Sequence, residues 1–301
     1  MDALRSVVWK TRLAPTPSGF LHVGNALSFL ITYCLARVHR GKILLRIDDL
    51  DRTRYRREYT EDIFRSLEWL GILWDEGPQS VADFEMHWSQ HQRLDLYTAA
   101  LKQIKENGHC YACRCSRSTF RPGGGQNPYP GTCRDARISL QGQVAWRFPI
   151  SPEHAETWTD IFLGETVVNP ASETGDFIIR RKDGSPAYQL ASFIDDRHFQ
   201  VTHIIRGMDL LPSTAAQRYL ARRWPEPNFL KVLFGHHELL TDSAGRKLSK
   251  SAGDTALKLL RQQQNALPQL YRSAGKMLGL PSHGIQSLQD LEQLCLELNP
   301  F

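Results

Sequence analysis

No stretch of this 301-residue chain stays apolar for the roughly 20 residues that a membrane-spanning helix requires. The opening residues, Met1 to Thr11, lack the apolar core of a secretory signal. Together these absences make a cytoplasmic protein with no membrane association the expectation. Six cysteines are too few for a disulfide scaffold. Internal repeats and low-complexity tracts are missing as well. Neither sign of charge dominates: 37 basic residues face 32 acidic ones, for a net charge of +5. Such a balance tolerates a polyanionic partner without demanding one.

What is present is an ordinary globular mixture, 41% hydrophobic and 23% charged. The length exceeds that of one compact domain, so one large domain with an insertion, or two domains, is expected. Val7 to Ala14 reads as a strand. Asn25 to His39 reads as an amphipathic helix, with Leu27, Leu30, Ile31, Cys34 and Leu35 at helical spacing and Gly41 as its stop. Ile43 to Ile47 reads as a buried parallel strand. This succession is a βαβ unit. Helices are expected over Glu58 to Leu70 and Trp88 to Asn107. Short β runs follow between Val144 and Arg181, written VAWRFPI, DIFLGETVV and DFIIRR. A helix near Tyr188, a strand at Val201 to Ile205, a helix at Ser213 to Trp224 and further helix after Asp254 complete the pattern. The fold class is therefore α/β, a parallel sheet interrupted by a mostly β insertion. Domain boundaries are expected at 1–109, 110–187, 188–254 and 255–301.

The segment RLAPTPSGFLHVGN, Arg12 to Asn25, joins the first strand to the first helix. A helix N-terminus directs unpaired N–H groups and a positive dipole end at what precedes it, an arrangement suited to phosphate. Gly19 and Gly24 permit close approach of a ligand to the backbone. His22 can donate to a phosphate oxygen, and Asn25 can donate or cap the helix. Alone, His22 is more simply a solvated loop residue. The second basic feature, GRKLSKS at Gly245 to Ser251, carries Lys247 and Lys250 three positions apart; a basic run by itself is usually a solvated surface.

Taken together the two segments change this reading. The first resembles the signature of glutamyl- and glutaminyl-type class I aminoacyl-tRNA synthetases, with His22-Val23-Gly24-Asn25 in the place of the HIGH motif. Asn25 departs from the final His. The second resembles the KMSKS loop, with Leu248 for Met. The resemblance implies a Rossmann-like class I catalytic core and an ATP site formed by His22, Gly24, Asn25 and Lys250. It also implies a catalytic role for Lys247 and Lys250, stabilising pyrophosphate as it leaves, with Mg2+ accompanying ATP. Charge stabilisation of that kind is usually the largest catalytic contribution.

A substrate carboxylate needs its own partner. Arg206, in IIRGMDL, follows a β run, and a guanidinium there can hold a carboxylate in a bidentate way. A structural ion pair is the plainer alternative. In the resembled family the matching arginine binds the glutamate side chain. Tyr188 matches a pocket tyrosine, although core packing explains it equally. Asp48, in RIDDLDRTR, stands at the end of the second strand, where open α/β sheets place ligands. The family position is usually Glu. Arg12, Leu13, Ala14, Pro15 and Thr16 complete the glutamate pocket by resemblance. Basic runs at Arg52, Arg54, Arg56 and Arg57, and at Arg180, Arg181 and Lys182, are either phosphate contacts or solvated faces.

Four cysteines crowd between Cys110 and Cys133, around a Gly/Pro-rich stretch. In a reducing compartment such crowding points to metal. Cys113, Cys115 and Cys133 supply three thiolates, and a structural zinc takes four ligands. By spacing, Cys110 is the natural fourth. The strings YACRCSR and YPGTCR instead resemble the zinc site of the short glutamyl-Q tRNA(Asp) synthetases, which implies Cys113, Cys115, Tyr129 and Cys133 around one structural Zn2+. Cys34 and Cys295 read as core residues.

After the lysine run only a short helical stretch follows, without the length of an anticodon-binding domain. This likeness to the short synthetases implies L-glutamate, ATP and queuosine-containing tRNA(Asp) as partners of a monomer. The alternatives are a glutamyl-tRNA synthetase charging a tRNA 3′ end, or a non-catalytic paralogue that binds glutamate or tRNA.

Overall fold

The computed structural model describes residues 8–116, 128–239 and 256–298. In chain order come β1 (Lys10–Leu13), α1 (Val23–Val38), β2 (Lys42–Leu45), α2 (Arg57–Trp69) and α3 (Leu94–Glu106). Then follow β3 (Tyr111–Cys113), β4 (Ala145–Phe148), β5 (Glu156–Asp160), β6 (Gly164–Val168) and β7 (Phe177–Arg180). The remainder is α4 (Tyr188–His198), β8 (His203–Gly207), α5 (Leu211–Ala221), β9 (Leu233–His237), α6 (Leu257–Leu260), α7 (Ala266–Met277) and α8 (Leu288–Leu298). Two compact units share the chain: Met1–Gln92, Val201–Met208 and Leu233–Phe301 form the first, and Arg93–Gln200 with Asp209–Val232 the second.

The first unit is built on parallel strands. β1 pairs with β2, Lys10 opposite Lys42 and Leu13 opposite Leu45. β8 pairs in parallel with β9. On the other side of β1, the Thr202 N–H donates to Lys10 O at 2.9 Å and Arg12 Nη1 donates to Ile205 O at 3.3 Å. β1 therefore lies between β2 and β8, and all four strands point the same way. Their apolar residues, Leu13, Ile43, Leu44, Leu45, Ile204 and Phe234, are almost wholly buried, as expected of parallel strands covered on both faces. α1 buries Leu27, Leu30, Ile31, Cys34 and Leu35, and α7 and α8 pack on it. Cys34 and Cys295 are both core residues.

Two local expectations change. The helix expected from Trp88 becomes regular only at Leu94, after a widened turn at Phe84–Trp88 and a tight one at Gln90–Arg93. The buried Asp49 carboxylate explains the break: it accepts from Ser89 Oγ at 2.6 Å and from the Gln90 N–H at 2.8 Å, holding both out of helical register. The strand β9, LFGHH, was not expected at all. Its paired histidines hide an apolar run too short to register alone.

The second unit is antiparallel in its strands. β3, β4 and β7 form one sheet in that order, with a register shift between Trp146 and Arg147. β5 and β6 form a hairpin in which Asp160 faces Gly164. Part of DIFLGETVV is thus a turn, closed by Asp160 Oδ1 accepting from the N–H groups of Phe162 and Leu163 at 3.1 and 3.3 Å. Buried Asp195 ties α4 to the start of α3, accepting from Arg93 Nε at 2.9 Å and Tyr97 Oη at 2.7 Å. Among the described residues no helix is long and apolar enough to cross a membrane.

Candidate active site and metal centre

The carboxyl ends of β1, β2 and β8 lie side by side, and the segments leaving them carry most of the candidate residues. From β1 the chain passes through Ala14, Pro15 and Thr16 to His22, the extended N-cap of α1. The His22 N–H donates to Asn25 Oδ1 at 3.1 Å. That bond occupies the amide oxygen of Asn25 and turns its N–H donors elsewhere. A Cβ on Gly24 would stand 3.1 Å from His22 Cε1, so the missing side chain leaves room for the imidazole against the first helical turn. No acidic residue occupies that turn to compete with an anion.

Asp48 follows β2. Its N–H donates to Pro15 O, and the Arg46 N–H donates to Leu13 O, each at 2.9 Å. These bonds lay Leu13 to Thr16 beside Asp48. The Asp48 carboxylate is gripped by Arg46 in a bidentate pair, Nε to Oδ1 at 2.8 Å and Nη2 to Oδ2 at 3.0 Å. Sequence reasoning missed Arg46, although residues two apart on an extended strand share a face. Arg12 and Arg206, 6% and 3% exposed, sit on the neighbouring strands β1 and β8. The Arg206 guanidinium stacks 5.5 Å from the centre of the Phe234 ring on β9. Tyr188 opens α4 in the second unit and is 43% exposed.

Lys247 and Lys250 lie outside the described residues. The chain beyond them is described from Ala256, which forms an antiparallel bridge with His22. The next N–H, that of Leu257, donates to Leu21 O at 2.7 Å. Lys258 places its ammonium 4.6 Å from the centre of the Phe20 ring. The segment following the lysine run is thereby anchored on the turn before α1, a contact no local pattern announces.

In the second unit Cys113, Cys115 and Cys133 bring their sulfurs within 4.8 Å of one another. Cys110 does not belong to this group, and burial pushes its thiol up to about 11. Tyr129 Oη lies 3.4 Å from Cys113 Sγ and 3.7 Å from Cys115 Sγ, and it accepts the Cys133 N–H at 3.0 Å. Burial raises the Cys133 thiol, but hydrogen bonds from Tyr129 and the Arg114 main chain outweigh it and bring the group down to about 7. Tyr129 itself is held well above the ordinary tyrosine range, by burial first and the neighbouring thiols next. The donors suit a tetrahedral ion: Zn–S bonds of about 2.3 Å imply sulfurs about 3.8 Å apart, and Cys115 and Cys133 stand 3.5 Å apart. Gly175 makes the arrangement possible. It bridges Tyr129, has φ +62°, and a Cβ there would come 2.3 Å from Tyr129 O. This residue, too, was missed from sequence.

Comparison with known proteins gives the family. Residues 8–298 match the family model described as tRNA synthetases class I (E and Q), catalytic domain. A glutamate–tRNA ligase of Symbiobacterium thermophilum is 35% identical over 294 residues, covering 92% of this chain and 59% of the relative. A glutamyl-Q tRNA(Asp) synthetase of the same organism is 38% identical over 265 residues, covering 83% of this chain and 80% of the relative. Among solved structures, a glutamate tRNA ligase of Elizabethkingia meningosepticum, crystallised with its amino acid, superposes with a TM-score of 0.75. It is 25% identical and covers 96% of this chain and 64% of its own. The chain therefore spans about three fifths of the glutamate–tRNA ligases it matches. With its parallel strands, the α1 turn and a match across nearly all its length, this chain belongs to the catalytic-domain family of class I (E and Q) tRNA synthetases.

Proposed function

We propose that the chain activates L-glutamate with ATP, without tRNA, and transfers the glutamyl group to the queuosine at the wobble position of tRNA(Asp). One observation carries the choice of amino acid: two buried guanidinium groups, Arg12 and Arg206, on neighbouring strands whose carboxyl ends adjoin the α1 turn. Guanidinium groups suit an anionic side-chain carboxylate and disfavour the neutral amide of glutamine. Family membership supports ATP-dependent ligation. The relative named glutamyl-Q tRNA(Asp) synthetase, matched over most of both chains, supports the acceptor.

The chemistry requires no protein nucleophile. The α-carboxylate of glutamate attacks the α-phosphorus of ATP, and the bond to pyrophosphate breaks. An acceptor hydroxyl then attacks the acyl carbon, and AMP departs with the bonding electrons. Each residue serves alignment or charge. Arg206 and Arg12 hold the side-chain carboxylate and Asp48 faces the ammonium; Tyr188 is assigned to glutamate by its match to the family tyrosine alone. Leu13 to Thr16 shape its floor. His22, Gly24 and Asn25 receive the phosphates, and Lys247 and Lys250 stabilise charge on departing pyrophosphate. Magnesium arriving with ATP shields the triphosphate. Cys113, Cys115, Tyr129 and Cys133 would hold one structural Zn2+, whose binding would supply folding free energy to this part of the chain. A monomer acting in the cytoplasm completes the proposal.

The test is glutamate-dependent ATP–pyrophosphate exchange without tRNA, followed by transfer of labelled glutamate to queuosine-positive and queuosine-negative tRNA(Asp). Exchange with label only in the queuosine-positive tRNA is expected. Equal charging of tRNA(Glu) would refute the acceptor, and absence of exchange would refute the activity.

A further inference from the structure

Arg147, on β4, holds its guanidinium carbon 3.5 Å from the centre of the Tyr129 ring. The residue is 4% exposed. Its Nη1 donates to the main-chain oxygen of Asp176 at 2.6 Å, which fixes the side chain. The register shift between β4 and β7 falls immediately before it, and across β3 it faces Tyr111. A second described cation, Arg134, pairs with the Asp176 carboxylate, Nε to Oδ2 at 3.0 Å. Tyr129 thus has one edge among the sulfurs of Cys113 and Cys115 and one face under a cation.

Charge counting gives that arrangement a purpose. Three thiolates and one tyrosinate around a divalent ion leave a net charge of −2. Cys113, Tyr129 and Cys133 are buried, at 0%, 4% and 8% exposure. Uncompensated charge at such a place is strongly unfavourable. A guanidinium over the π face attracts the ring electrostatically, more so when desolvated, and it opposes the excess negative charge of the ligand set.

Resting on the reading of the Cys113–Cys115–Tyr129–Cys133 cluster as a metal site, we propose that Arg147 is its positioning residue. Stacked on Tyr129, it fixes the ring and offsets the ligand charge, so that an oxygen donor completes a set otherwise made of sulfur.

The experiment uses the full chain with Zn2+ alone, its affinity measured by competition with a chromophoric chelator. Variants are Arg147→Met, Arg147→Lys, Tyr129→Phe and the double variant Arg147→Met/Tyr129→Phe. Arg147→Met is expected to weaken zinc about tenfold or more, the range typical of groups that orient metal ligands. Arg147→Lys, which keeps the charge, retains more of the affinity. In the Tyr129→Phe background the Met substitution adds no further loss, because the contact it removes acts through the phenol; a merely structural arginine would give the same loss in both backgrounds. If Arg147→Met fails to fold, the Lys variant and Arg147→Gln are compared in the same two backgrounds. Wild-type zinc affinity in Arg147→Met, or an equal loss with and without Tyr129, would overturn the role of Arg147 alone. A wild-type chain that binds no zinc would overturn the metal site and this inference together.

Discussion

His22 and Ala256 are bridged in antiparallel fashion, so the chain from Ala256 onward meets the turn before α1 at the helix N-cap. This anchor joins the turn before α1 to the stretch that follows the lysine run; a shared role for His22 and Lys250 is the proposal to be tested.

Lys250→Ala tests that link. Removing a cation aimed at the leaving pyrophosphate is expected to lower kcat for glutamate-dependent exchange about 100-fold or more. The KM for glutamate should stay near its original value, because the lysine is assigned to phosphate and not to the amino acid. Steady-state exchange kinetics read both quantities, and an unchanged kcat would remove the lysine from the chemistry.

Asp48→Asn separates stability from substrate binding. The substitution takes the bidentate carboxylate away from Arg46, whose side chain is 2% exposed. Breaking such a buried pair destabilises by about 3 kcal/mol, visible as a lower denaturant midpoint. The KM for glutamate rises as well if Asp48 faces the ammonium. A stability loss with unchanged KM would make Asp48 purely structural.

His203 sets an acid limit on stability. It is 4% exposed and stacks on Trp9 with ring centres 3.6 Å apart. Burial, followed by repulsion from His39, brings its pKa from 6.5 down to about 4. Between those values the unfolded chain binds more protons than the folded one. The stabilisation is therefore complete above pH 6.5 and declines as pH falls toward 4, by on the order of 3 kcal/mol. Urea titrations across that window are expected to show the decline. His203→Phe, which keeps the stack, should flatten it.

The fourth metal ligand has a direct assay. Cys133→Ser is expected to abolish zinc in the purified protein, and Tyr129→Phe to weaken it, while Cys110→Ser keeps one zinc per chain. Chelation of the wild type should lower its melting temperature. Zinc lost only in Cys110→Ser would transfer the ligand role to that residue.

Gly175→Ala probes the backbone behind Tyr129. The new Cβ meets Tyr129 O at 2.3 Å, and φ +62° is unfavourable for alanine. A destabilisation of about 2 kcal/mol is expected, together with weaker zinc binding as Tyr129 is pushed aside. Thermal melts of metal-free and zinc-loaded protein separate the two effects.

Much of this molecule was legible locally. Apolar residues at helical spacing marked α1, and the unbroken run of β2 marked a buried parallel strand. In each case a periodic pattern within one segment is enough to predict its shape. The turn into α1 was legible for a related reason: its glycines, His22 and Asn25 stand close together along the chain, where the helix begins. β9 was not, because five residues ending in two histidines carry no periodicity. Nor was the break before α3, since the carboxylate that causes it, Asp49, lies far back in the chain.

By itself the sequence determined the α/β class, the turn before α1 and which residue types were available for charge and metal. Tertiary structure alone decided that Ala256 returns to His22 and that Arg46 clamps Asp48; spacing left Cys110 open beside the set Cys113, Cys115, Tyr129 and Cys133 that resemblance implied, and the fold brings that set together without Cys110. The physical reason is that hydrogen bonds and van der Waals contacts act over a few ångströms of space. Spacing along the chain constrains such contacts only within one helix or strand, and everything beyond that is set by how the elements pack.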